Sequence, residues 1–271
     1  MSVPAGARAP LTRSDRLHSA VWTFFIAART EQRSMRGNPL LLVNAGFLPV
    51  VLLIIAVETQ RPTADRGAEI VASVMLTALW GSTIWTSGGV LRRERTYGTL
   101  ARCVCGVESP TLILFGKSLG ATLYGVGTIL ASTVFTVLAL RLPVGMAHPF
   151  WLVVGLVVVI VSATTLGALL SCLFLLTRNG LIWSGALMYP VFVLGGLLIP
   201  QDVLPVWLRW VPQLLSLRWI NEFLSSAAGH GLSITPLAVA VLLTVGYGVV
   251  AGRTYRWSID KARQRGTLDY A

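Results

Sequence analysis

Charge is what this sequence has least of. Lys and Arg number 22 and Asp and Glu 11, so 12% of the 271 residues are charged. A soluble globular domain carries about 25%. The deficit excludes an ordinary cytosolic enzyme, a disordered tail and a collagen-like fibre. Cysteine and histidine are scarce too, at three each. Three cysteines make no disulfide framework. Cys103 and Cys105 form a C-x-C two ligands short of a zinc site, with no His nearby. Cys172 sits in an apolar run and reads as packing. No Ser, Cys, His or Asp stands at a spacing that suggests nucleophile and base, so the chain reads as non-catalytic. A phosphate loop is missing as well. Gly116-Lys117-Ser118 has the motif's tail, but the glycine five residues earlier is Thr111. The chain is therefore expected to bind no nucleotide or other cofactor itself, and Lys117 reads as a cation at the mouth of a helix.

What is present is apolar sequence. Hydrophobic residues make up 54% of the chain and the mean hydropathy is +0.71. Six runs suffice to cross about 30 Å of hydrocarbon as helices: 39–57, 68–91, 112–140, 149–176, 180–199 and 234–252. They are apolar on every face, which excludes the alternating pattern of a membrane β-barrel. The predicted fold is an all-α polytopic membrane protein. Pro49 and Pro190 fall inside runs and predict kinks. Ionisable groups are nearly absent from the runs. Only Lys117 lies within one, while Glu58, Glu69, Asp202 and Glu222 lie at edges or in a loop. Ion-coupled carriers bury such groups as relays, so this pattern argues against one.

The basic residues mark orientation. Seventeen Lys and Arg fall on the side of the two termini and five on the other. The positive-inside rule puts both termini in the cytoplasm. It also accounts for the net charge of +11 without nucleic acid as a partner. No secretory signal is recognisable before the first run. The expected organisation is a cytoplasmic segment at 1–38, a six-helix domain at 39–254 and a basic cytoplasmic tail at 255–271.

Three segments outside the runs carry information. In 14–36, Leu17, Val21, Phe24, Phe25 and Ala28 recur at helical spacing, with Ser14 and Asp15 placed to cap. This predicts an amphipathic helix lying in the cytoplasmic interface, its apolar face in the acyl boundary and its arginines at lipid headgroups. In 92–110, an arginine-rich cytoplasmic loop is punctuated by Gly98 and Pro110, so a short helix there projects toward a soluble partner. In 200–233, a segment on the outer side is rich in Trp, Leu and Pro. It predicts two short amphipathic helices split by Pro212 and dipping into the outer leaflet.

Together these segments resemble the membrane subunit of ABC-2 type ATP-binding cassette exporters over nearly the whole chain. The piece Glu94-Arg95-Thr96-Tyr97-Gly98-Thr99-Leu100 is similar to the family's Glu–Gly-Thr-Leu signature. The piece Gly195-Gly196-Leu197-Leu198-Ile199-Pro200, with Leu204-Pro205-Val206-Trp207-Leu208 and Val211-Pro212, resembles its outer Gly–Pro–Leu-Pro-x-Trp-Leu–Pro pattern. The resemblance implies a permease in a prokaryotic plasma membrane. It implies a separate ATPase subunit that holds ATP and Mg, and a second membrane subunit, either the same chain or a paralogue. It assigns Glu94, Gly98, Thr99 and Leu100 to ATPase coupling, and Pro200, Pro205, Trp207 and Pro212 to the outer hairpin. Lumen-facing polar residues would contact the substrate, and Asn44, Thr86, Ser87, Tyr124 and Tyr189 are the candidates. Apolar walls and the lack of a large soluble domain lean toward export of a small hydrophobic or amphiphilic compound, such as a drug, antibiotic or lipid. The alternatives are a non-transport membrane protein (an intramembrane enzyme or assembly scaffold) and export of polysaccharide.

Overall fold

A computed structural model describes residues 13–37, 39–60, 64–100, 103, 109–142, 147–177, 180–194, 210–228 and 231–265. The described residues are helical and contain no strand. In chain order the α-helices are α1 Arg13–Arg36, α2 Pro39–Gln60, α3 Ala64–Trp85, α4 Val90–Thr96, α5 Pro110–Leu140, α6 Pro149–Leu176, α7 Gly180–Leu194, α8 Ser216–Ala228 and α9 Thr235–Arg265. Four stretches among the described residues are long and apolar enough to cross a membrane: Gly67–Thr96, Pro110–Leu140, Pro149–Leu176 and Thr235–Lys261. Helices α2 and α7 occupy the other two apolar runs. The chain is an all-α polytopic membrane protein.

Local sequence sets several boundaries. Pro110 and Pro149 open α5 and α6, where a missing N–H costs no intrahelical bond. Helix α5 closes on Arg141 in the left-handed region, φ 50°. Helix α8 is amphipathic, burying Leu217, Ile220, Phe223 and Ala227 at helical spacing. Its last carbonyls, at Ala227 and Ala228, accept the N–H groups of His148 and Ala147 that lead into α6. Helix α9 continues unbroken through position 254 to Arg265, so the start of the basic tail is part of it.

The core has two layers. Leu76, Leu79, Trp80, Val126, Ile129, Val159 and Ile220 fill one, between α3, α5, α6 and α8. Met35, Val90, Leu100, Leu114, Cys172 and Tyr255 fill the other, bringing together α1, α4, α5, α6 and α9. This second layer lies at the end that the sequence marks as cytoplasmic, and the site described below is built on it.

Three expectations are corrected. The second run is not one helix: α3 stops at Trp85, a turn takes Thr86–Gly89, and α4 resumes at Val90. Two successive glycines there favour a break, and a Cβ at Gly88 would meet the Ile84 carbonyl at 2.8 Å. Ser14 and Asp15 stand inside α1 rather than before it. The apolar stripe of α1 is also divided. Ala28 is buried, whereas Val21 and Phe25 are exposed together with Trp22 and Ile26. The buried face is Ala27, Ala28, Glu31 and Met35, and it lies on α5. Gly116 and Gly120 of α5 make that approach possible. A Cβ on Gly116 would stand 2.6 Å from the Phe24 carbonyl, and one on Gly120 would overlap the Ala28 carbonyl.

Candidate functional site

Helix α4 is seven residues long and could not persist alone, since isolated short helices are marginal in water. Neighbouring elements hold it. Its opening N–H at Leu91 donates to Ser171 Oγ of α6, 2.9 Å away. Its closing end follows from Gly98, whose φ is +67°. Gly98 N–H donates to the Arg95 carbonyl at 3.1 Å and Thr99 N–H to the Glu94 carbonyl at 2.9 Å. These are the two bonds of a Schellman stop, which puts glycine at the left-handed position.

Two ion pairs fix the helix sideways. Arg93 reaches back across the break. Its Nη1 donates to the Trp85 carbonyl at 3.2 Å and its Nη2 to the Thr86 carbonyl at 2.8 Å, which also accepts the Gly89 N–H, so the guanidinium braces the turn where α3 stops. The same Nη2 pairs with Glu31 Oε1 of α1 at 2.7 Å. Glu94 turns the other way and pairs with Lys117 of α5. Its Oε2 also accepts Thr99 Oγ1 at 2.6 Å and Cys103 Sγ at 3.4 Å. Burial pushes the Cys103 thiol up to about 11, so at neutral pH it keeps the proton it donates. Glu31 and Glu94 are both buried, at 5% and 7% exposure. Carboxylates so placed persist only when paired and hydrogen-bonded.

The four residues assigned to coupling therefore play different parts. Glu94 and Leu100 face inward, Thr99 bridges to Glu94, and Gly98 is at the surface. The exposed tip consists of Arg95, Thr96, Tyr97 and Gly98, with Tyr97 at 69% exposure. Nothing in the local sequence marks Glu31 as a partner, and the structure pairs Glu94 with Lys117 rather than with the arginines beside it. Neighbours at i±1 project about 100° apart on a helix, so Glu94 cannot face Arg93 and share its partner. The available signal was Lys117 itself, a lone cation in an apolar run, which needs a counter-charge.

The other candidates are spread through the fold. Thr86 and Ser87 stand in the turn between α3 and α4 and are fully buried. The Thr86 hydroxyl donates to the Ser82 carbonyl at 2.7 Å, and Ser87 Oγ shares a 2.8 Å bond with Thr122 Oγ1 of α5. Tyr124 lies on α5, its buried hydroxyl without a hydrogen-bond partner among the described residues. Asn44 and Tyr189 lie on α2 and α7, their side chains outside what is described. Of the hairpin residues, Pro212 is buried and opens a 3-10 turn, Pro212–Leu214, whose other two residues are exposed, while Pro200, Pro205 and Trp207 lie outside the described residues.

Beside the first core layer is a half-open cavity of about 420 Å³ between α3, α5 and α6, with Leu224 and Ala228 of α8 also lining it. Its walls are apolar throughout, including Met75, Leu79, Ile129, Leu156 and Leu224.

Compared with known families, residues 23–228 match the ABC-2 type transporter. That stretch is most of the chain, and the chain belongs to this family: it is the transmembrane, non-catalytic permease subunit of a transporter, a class that associates with an ATP-binding subunit. No curated protein matches it.

Proposed function

We propose that the chain is the membrane-spanning subunit of an ATP-driven exporter. It crosses a prokaryotic plasma membrane six times with both termini in the cytoplasm. It works with a second membrane subunit, the same chain or a paralogue, and with ATPase subunits that carry ATP and Mg. The observation that carries this reading is the mounting of α4: an exposed tip at Arg95–Gly98 on a helix tied to α1, α3, α5 and α6. A push on the tip reaches all four helices at once. Alternating access needs such a bistable body, biased by contacts that differ between its states. The apolar cavity supports a small hydrophobic or amphiphilic cargo, because an apolar wall offers a polar group no partner.

Two experiments test this. Arg95→Glu and Tyr97→Ala change exposed side chains and should leave insertion and melting unchanged. Interface anchors of these types are each worth about 2 kcal/mol or more, so affinity for the ATPase should fall about thirtyfold or further, read as loss of co-purification. Full co-purification and full ATP-dependent transport in both variants would remove α4 as the coupling element. Topology is tested separately. A cysteine at Ala64 should react with an impermeant maleimide added outside intact cells, and one at Gln264 should not; the reverse pattern would invert the orientation.

A further inference from the structure

A groove of about 330 Å³ runs between the start of α5 and the second half of α9, sharing no lining residue with α4 or with the apolar cavity. On α9 it is bordered by Gly248, Val249, Gly252, Arg253 and Arg256, which share one helix face. Leu112 and Phe115 of α5 form the opposite wall.

The groove changes character along its length. Above it, Val245, Val249 and Val250 of α9 are exposed at 58%, 44% and 50%, as lipid-facing side chains are. Gly248 and Gly252 then leave a trough, where a Cβ on Gly252 would meet nothing within 4 Å. Arg253 follows directly and Arg256 one turn beyond Gly252, both exposed. Just below, Trp257 is 53% exposed with Lys261 Nζ 4.5 Å from its ring centroid, a pairing suited to the headgroup level. The start of α5 at Pro110 opens the facing helix at this end. Arg253 and Arg256 are like charges three residues apart. Neither forms an ion pair among the described residues, and Asp260, one turn on, does not reach Arg256. Two adjacent cations below an apolar trough match a molecule with a phosphate head and a hydrocarbon chain.

We propose that this groove is a binding site for one anionic phospholipid of the leaflet at the Arg253 end. Its phosphate lies between Arg253 and Arg256, and one acyl chain lies over Gly248 and Gly252 against Phe115. The site goes beyond the export reading and stands without it.

The test uses the full chain in vesicles of phosphatidylcholine. Trace phosphatidylglycerol or phosphatidylcholine is added, each with a photoreactive diazirine in one acyl chain, and labelled peptides are mapped. The wild type should be labelled in the peptides holding Phe115 and Val249 at least about fivefold more by the anionic probe than by the neutral one. Arg253→Gln with Arg256→Gln should bring the two probes level. Gly252→Leu puts a side chain into the trough at a position where its Cβ meets nothing within 4 Å, and it should remove labelling by both probes while leaving the melting temperature unchanged. Equal labelling of the wild type by the two probes would overturn the proposal, as would preference for the anionic probe that survives the double substitution. Loss of the preference on adding millimolar inorganic phosphate would show that the arginines hold a free anion instead. Exclusion of both probes, with α9-to-α9 crosslinks in their place, would show that a second copy of the chain occupies the groove.

Discussion

Lys117→Met should lower the stability of the permease by about 3–5 kcal/mol, because it leaves Glu94 charged, buried and unpaired. The Lys117 and Glu94 side chains keep only 15% and 10% of their exposure. Water therefore offers the orphaned carboxylate little relief, and the hydroxyl of Thr99 and the thiol of Cys103 cannot supply a positive charge. Glu94→Gln should also be destabilising, since its single amide oxygen accepts from Thr99 or from Lys117 but not from both, and it leaves the Lys117 charge uncompensated. The double variant Glu94→Leu, Lys117→Met should recover most of the loss, because replacing a buried pair by apolar residues of similar size is often close to neutral. The recovery separates pairing from packing: a double-mutant cycle on melting in detergent should give a coupling energy well above the 0–1 kcal/mol of an exposed pair. If Lys117→Met costs less than about 1 kcal/mol, the pair behaves as a solvated one and α4 is not fixed to α5 through it. The double variant should also be the informative one for transport. It keeps the fold but loses the charge link between α4 and α5, so a coupling role for the pair predicts slower ATP-dependent transport at undiminished stability.

The sequence shows most of the frame and little of the coupling machinery. Apolar runs at 149–176 and 112–140 are read almost to the residue as α6 and α5, because length and an uninterrupted apolar composition admit few alternatives. Gly98 is legible as a stop because only glycine enters the left-handed region freely. The turn at Thr86–Gly89 is harder. Its residues are as apolar or as small as those of a continuous span, and what opens the helix is a tertiary event: Arg93 braces the turn through the carbonyls of Trp85 and Thr86, and Gly167 lets Ser87 approach α6. Pairings at long separation are not written in local spacing at all. Glu31 and Arg93 are 62 positions apart, and Glu94 and Lys117 are 23 apart. A charge in an apolar environment announces that it has a partner but not which one. The same limit explains α1. Its periodicity predicts amphipathicity correctly, yet periodicity cannot distinguish a face that meets lipid from one that meets another helix. The small residues Ala27 and Ala28 on one side and Gly116 and Gly120 on the other make that distinction only once α5 is known to lie beside α1.

That contact gives the second large effect. Gly120→Leu should detach α1 from α5. A Cβ at position 120 overlaps the Ala28 carbonyl oxygen and crowds its carbonyl carbon and Cα at 2.8 and 2.9 Å. These are backbone atoms, which cannot rotate aside as a side chain can, so one helix must move. Overpacking of a close contact typically costs about 1–3 kcal/mol. Here the displacement has a further consequence, because Glu31 lies one turn beyond Ala28 on the same buried face and its ion pair with Arg93 spans the same gap. Moving α1 away stretches that pair, leaves Arg93 to the carbonyls of Trp85 and Thr86 alone, and loosens α4. The expected result is a variant that still inserts in the membrane, in which a cysteine at Ala28 becomes several-fold more reactive to maleimide and ATPase co-purification falls along with it. Gly127→Leu is the control. It places the same side chain on the same helix, nearly two turns along, where a Cβ meets nothing within 4 Å. It should match the wild type in melting, in reactivity of the Ala28 cysteine and in ATPase association. If Gly120→Leu behaves as Gly127→Leu does, α1 is not seated on α5, and the link from α4 through Arg93 and Glu31 to α1 has no structural basis.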